Sequence, residues 1–127
     1  MPIYAKVTDS CEVTAGEAIT RGMLVSIHDA DGLAYMANAG TGAGQDIPAI
    51  GIAETTLAAG EVAEIKRVGK MAGEAGLQEG DWCYLSTTDG LITQTAPAVT
   101  GDAVQVVGVA VSTTEWMIQI ESHSIVT

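Results

Sequence analysis

The same signposts occur twice along this chain of 127 residues, in the same order and at nearly the same spacing. A shift of 58 positions (80 − 22) lays Gly22 on Gly80, Ile19 on Leu77, Ile27 on Leu85, and Asp31-Gly32-Leu33 on Asp89-Gly90-Leu91. A shift of 57 (108 − 51) lays Gly44 on Gly101, Ile47 on Val104, and Ile50-Gly51-Ile52-Ala53 on Val107-Gly108-Val109-Ala110. An internal repeat constrains a fold more than any single motif, because both copies must fold to one plan. The chain has no Phe and only 4% aromatic residues, so one copy has few large side chains with which to close a core. Two copies sharing a core remove that difficulty. The expectation is a single β domain over residues 13–127 with pseudo-two-fold symmetry, following a short N-terminal arm (1–12). Repeat one covers about 13–70 and repeat two about 71–121.

Each copy reads as short strands. Met23-Leu24-Val25-Ser26-Ile27 and Leu33-Ala34-Tyr35-Met36-Ala37 flank an Asp31-Gly32 turn, where Gly takes positive φ without a Cβ clash. Further runs lie at 50–53 and 61–68, then at 82–85, 91–95, 104–111 and 116–120, with a second turn at Asp89-Gly90. Strands at this spacing, punctuated by turn residues, predict an all-β barrel or sandwich. Residues 53–60 are Ala-rich but too few to hold a helix, so a single helical turn is the most they offer. Gly51 and Gly108 sit inside apolar runs, which marks a bulge, a bend or a close backbone approach.

Charge narrows the partners. Sixteen Asp and Glu against five Lys and Arg give a net charge of -11, and Lys66, Arg67 and Lys70 form the only basic cluster. Binding to a phosphate backbone or an anionic membrane has little electrostatic drive. No apolar run approaches the ~18 residues of a spanning helix, and residues 1–10 do not read as a signal peptide. Two cysteines make no disulfide framework and no zinc spacing, which suits a reducing cytoplasm and free or buried thiols.

Candidate chemistry is sparse, and the expectation is no enzyme, no cofactor and no metal. His28 lies beside Asp29 and Asp31 on a hairpin shoulder and His123 near the end of the chain, without three or four convergent ligands. No Gly-x-Ser-x-Gly elbow exposes a nucleophile, and Cys83 between Trp82 and Tyr84 reads as a buried structural thiol. Gly40-Thr41-Gly42-Ala43-Gly44 precedes Pro48 and a β-like run rather than a helix, so it reads as a surface loop, not a phosphate loop. Lys70 near the junction of the copies invites comparison with biotinyl and lipoyl carriers, but Gly69 precedes it where a carrier has an acidic residue or Met.

Surface and assembly remain. Pro2, Ile3, Tyr4 and Val7 form an apolar N-terminal stretch suited to strand addition on a neighbour, or to an edge strand of its own domain. Trp82 alternates with apolar neighbours and reads as core. Trp116 opens the last strand, is balanced between core and rim, and is the aromatic candidate for an interface anchor.

The pattern Ala18-Ile19, Gly22-Met23-Leu24-Val25, Asp31-Gly32, Ile50-Gly51-Ile52-Ala53, Ala59-Gly60-Glu61-Val62 resembles the small duplicated capsid decoration (cement) proteins of tailed bacteriophages. The second copy matches through Leu77, Gly80-Asp81 and Val107-Gly108-Val109-Ala110, so the likeness covers about residues 13–120. It departs where Trp116 stands in place of the Ala-Gly-Glu turn. The resemblance implies a virion structural protein, made in the host cytoplasm and carried on the capsid exterior. It would be a homotrimer (or a dimer) bound across major capsid protein subunits, with no nucleic-acid or membrane partner. A phage tail or fibre subunit is the alternative, and a carrier domain a more distant one.

Overall fold

The computed structural model describes residues 10–40 and 46–127, and among these the chain is all-β with two sheets. The first holds β1 (Ser10–Thr14), β2 (Leu24–Ile27), β3 (Ala34–Met36), β4 (Gly51–Ala53) and β5 (Val62–Lys66). The second holds β6 (Lys70–Ala72), β7 (Trp82–Leu85), β8 (Ile92–Thr93), β9 (Ala103–Ala110), β10 (Glu115–Ile118) and β11 (His123–Ile125). Sheet one runs β1-β5-β4-β2-β3 and sheet two β6-β10-β9-β7-β8, with β11 also on β9. Adding five to each strand number of the first order gives the second.

The pairing registers follow suit. Leu24 faces Ile52 as Trp82 faces Val109, and Ile52 faces Lys66 as Val109 faces Met117. Ser10 faces Lys66 as Lys70 faces Met117, and Ile27 faces Ala34 as Leu85 faces Ile92. Positions thus correspond through offsets of 60 (70 − 10), 58 (82 − 24), 57 (109 − 52) and 51 (117 − 66). The strand-opening glycines correspond too: Gly22 donates to the Ala53 carbonyl at 2.9 Å and Gly80 to that of Ala110 at 2.8 Å, each at positive φ.

The expected pseudo-two-fold packing does not occur. A two-fold would bring corresponding faces together, yet the shared core joins faces that do not correspond. The first half contributes Leu24 and Ile52 from its sheet and Ala37, Ala39 and Ala49 from the segments flanking it. Sheet two contributes Cys83, Leu85, Ala103, Val107, Ala110, Trp116 and Ile118. The counterparts of Cys83, Ala110 and Trp116 are Val25, Ala53 and Ile65, which lie on the opposite face of sheet one in a smaller core with Val13, Ala15, Ile19, Ala34 and Leu57. The halves are stacked head to tail.

Backbone and side chain both cross the junction. Leu24 N–H donates to Gly90 O at 2.9 Å, Gly90 N–H to Ala37 O at 2.8 Å, and Ala103 N–H to Ala39 O at 2.8 Å. The fully buried Gln105 amide accepts from Ala49 N–H and donates to Ala49 O, both at 2.8 Å, and donates to Glu121 O at 2.9 Å. Gln105 closes like a backbone pair where sheet one has no strand to offer. Leaving the Ala49 groups unsatisfied would cost about 1–3 kcal/mol.

Several boundaries shift from expectation. Ser10, Cys11 and Glu12 belong to β1 on β5, so the supposed arm contains part of the sheet. Residues 53–60 form no helical turn, because Leu57 and Ile19 exchange backbone hydrogen bonds at 2.8 and 2.9 Å. The last hairpin is simply shorter: four residues (111–114) link β9 to β10, against eight (54–61) between β4 and β5. Three strands, β1, β6 and β11, were not anticipated, the last lying beyond the second repeat.

Candidate interaction surface

The structure puts Trp82, read as core, at the surface and Trp116 in the core. Trp116 is 2% exposed and packs in the shared core, so its indole is withdrawn from the surface where an interface anchor was expected. Trp82 is 50% exposed. The cause is strand parity combined with the stacking. Trp82 and Val109 occupy the positions of Leu24 and Ile52, and the face that sheet one buries against sheet two is the face sheet two leaves open.

That open face carries one apolar row across three strands: Trp82 on β7, opposite Val109 on β9, opposite Met117 on β10, continued by Lys70 on β6. Met117 is 41% exposed. The β9 strand supplies more of the same surface through a bulge: Cys83 faces Gly108 while Tyr84 faces Val106, so Val107 has no opposite residue. The extra residue keeps Val107, Gly108 and Ala110 buried and turns Val104, Val106 and Val109 outward. Gly108 is obligatory here, since a Cβ would run into the Met117 carbonyl oxygen and the Trp116 ring. At the corresponding Gly51 a Cβ would stand 2.7 Å from the Lys66 carbonyl oxygen.

A polar cluster occupies the hairpin of the first half. His28 stacks on Tyr35 with ring centroids 3.7 Å apart and planes 11° from parallel, and its Nε2 lies 2.6 Å from Asp46 Oδ1. The Tyr35 hydroxyl donates to Asp31 Oδ2 at 2.6 Å and Leu33 N–H to Asp31 Oδ1 at 2.9 Å. The Tyr35 bond, then the Leu33 bond, hold the Asp31 carboxyl below its usual range, and the Asp31 bond raises the Tyr35 phenol. These contacts brace the turn. The expected neighbour of His28 was Asp29 or Asp31, but the observed partner is Asp46, across the loop.

The remaining candidates are scattered. Cys83 is buried, and burial followed by the nearby Glu74 charge pushes its thiol up to about 11, so it is protonated at neutral pH. Lys70 begins β6 rather than sitting on a turn tip, with its Nζ 3.1 Å from Glu115 Oε2. His123 is exposed on β11. Among the described residues no three His, Cys, Asp or Glu come together as metal ligands, and no helix is long and apolar enough to cross a membrane. Pro2, Ile3, Tyr4 and Val7 lie outside the described residues, as do residues 41–45 of the Gly-rich loop.

Sequence reasoning missed Gln105 and the Trp82 row. Gln105 had a signal, as the one amide in Ala103-Val104-Gln105-Val106-Val107. No family model matches the sequence, and no curated protein is similar to it.

Proposed function

We propose that this protein is a non-enzymatic structural subunit that works by binding other protein chains. The observation that carries this reading is the open Trp82–Val109–Met117 row, two of whose first-half counterparts, Leu24 and Ile52, are buried against the second half. A sheet face on which a half-exposed Trp is followed across the strands by Val and Met has the make-up of an interface core. The sequence resemblance supplies the setting: decoration of a tailed-phage capsid, with the subunit seated across major capsid proteins and associated with itself as a trimer. Many weak contacts made together would then give firm attachment. The net charge of -11 favours solubility of the free subunit.

The test is co-sedimentation with expanded shells of the cognate major capsid protein, with light scattering to give the oligomer. Saturable binding to the shells, abolished by Trp82→Ser while the melting temperature is kept, supports the reading. Indifference to shells sinks it, and binding to a host surface glycan instead marks a tail or fibre subunit.

A further inference from the structure

The chain is acidic almost everywhere except at one place. Of its five Lys and Arg, three (Arg21, Lys66 and Lys70) line a single cleft of about 640 Å³ between the two sheets. Ile52, Met71 and Ile118 also line it, with the carboxylate of Glu54. Two of the cations have acidic neighbours of their own, Lys66 Nζ 3.9 Å from Glu54 and Lys70 Nζ 3.1 Å from Glu115, both of them partly solvated pairs. Arg21 has no acidic partner among the described residues. Such pairs contribute little to stability where they stand, so exchange for an incoming carboxylate costs little.

The cleft has a second feature. All three residues of β6 line it, and β6 is the outermost strand of sheet two, hydrogen-bonded to β10 alone. Its other edge offers peptide N–H and C=O groups with no strand neighbour among the described residues.

We propose that this cleft receives an extended peptide segment of a partner protein, alternating acidic and apolar residues, which adds as a strand to β6. The alternation follows from the period of a strand: one set of side chains turns inward to Met71, Ile118 and Ile52, with Lys66 beside Ile52, and the other turns to the Lys70 side. Backbone pairing gives the affinity, and the cations reject a basic segment. The proposal rests on the protein-binding reading but not on which particle the chain belongs to.

The probe is a fluorescein-labelled peptide alternating Glu and Val, compared with a Lys/Val peptide, a Glu/Val peptide interrupted by Pro, and free glutamate. The expected result is saturable binding of the Glu/Val peptide, with amide shifts at Lys70, Met71, Ala72 and Gly22. It weakens about tenfold in Arg21→Glu/Lys70→Glu and at high salt. Arg21→Gln/Lys70→Gln serves as the milder variant should the double reversal disturb folding. The proposal is overturned by absence of binding, by equal binding of the Pro-interrupted peptide or free glutamate (a charge effect only), or by shifts that map to Trp82 and Met117. Failure of the peptide leaves the shell assay standing; failure of the shell assay with the peptide bound sinks the virion setting and leaves the cleft.

Discussion

The first half of the molecule buries both faces of its sheet, whereas the second buries one. Leu24 and Val25, adjacent on β2, enter two different cores; Trp82 and Cys83, their counterparts on β7, divide between solvent and core. With strand order and register the same, the difference lies in what each sheet is stacked against. A repeated backbone therefore does not imply repeated chemistry. The half whose outer face is covered carries aliphatic residues there, and the half whose outer face is open carries Trp and Met.

The sharpest way to break this comparison is to insert a Cβ at the two corresponding glycines. Gly108→Ala must displace both a carbonyl and the Trp116 ring, Gly51→Ala chiefly a carbonyl. Loss of about 4 kcal/mol or outright unfolding is expected for the former and about 2 kcal/mol for the latter, read as urea midpoints. Equal midpoints would show that the bulge relaxes freely. Next come the residues stacked over those glycines: Trp116→Ala should cost about 4 kcal/mol and Ile65→Ala about 3, because the Trp cavity is larger. A smaller loss at Trp116 would place less of the core in the second half than the burial indicates.

Alkaline titration sharpens the contrast further, since Cys83 is a titratable group where the first half has Val25. Its folded value near 11 lies above the usual 9.0, so the native state holds a proton that the unfolded chain loses first. Stability from this group is complete below pH 9 and drains away between pH 9 and 11, by up to roughly 3 kcal/mol. Subtracting the Cys83→Ala curve from wild type isolates the effect, because Tyr35, also raised, is common to both. A flat difference would mean that the thiol is solvated. The smallest effect is expected at Trp82→Ser, within about 0.5 kcal/mol of wild type in thermal unfolding, as befits a side chain half in water.

Much of the fold was legible and the surface was not. Alternation and the Asp-Gly turns located β2, β3 and β7, and the shifts of 58 and 57 match the offsets at β7 and β9 but not those of 60 and 51 at β6 and β10. Gly51 and Gly108 were read as marking a bulge, a bend or a close approach, and a Cβ at either would meet backbone of the neighbouring strand. What failed was the choice of face. Trp82-Cys83-Tyr84-Leu85 is apolar at every position, so its period names two faces without saying which is wet. That is decided by the other half of the chain, some 58 residues away, and by a bulge beside Gly108 whose effect on the faces the sequence does not show. Trp116-Met117-Ile118 has the same ambiguity. The missed strands are edge pieces: β6 and β11 have three residues each, and β1 carries Glu and Thr on a partly wet edge. Arg21 lies far in sequence from Lys66 and Lys70, so the basic cleft could not be seen before the chain was folded.

Head-to-tail stacking is, in principle, an unending operation: each module offers a donor end and an acceptor end, as in a solenoid. Two such modules are stacked in this chain. The donor end of the second module reaches the first through Met71 and Ile118, but the first module has Cys11 and Arg67 at those positions, both exposed. Among the described residues that terminus is polar, whereas the other presents the half-exposed Trp82 and Met117. The two modules thus end in chemically unlike surfaces along the stacking axis.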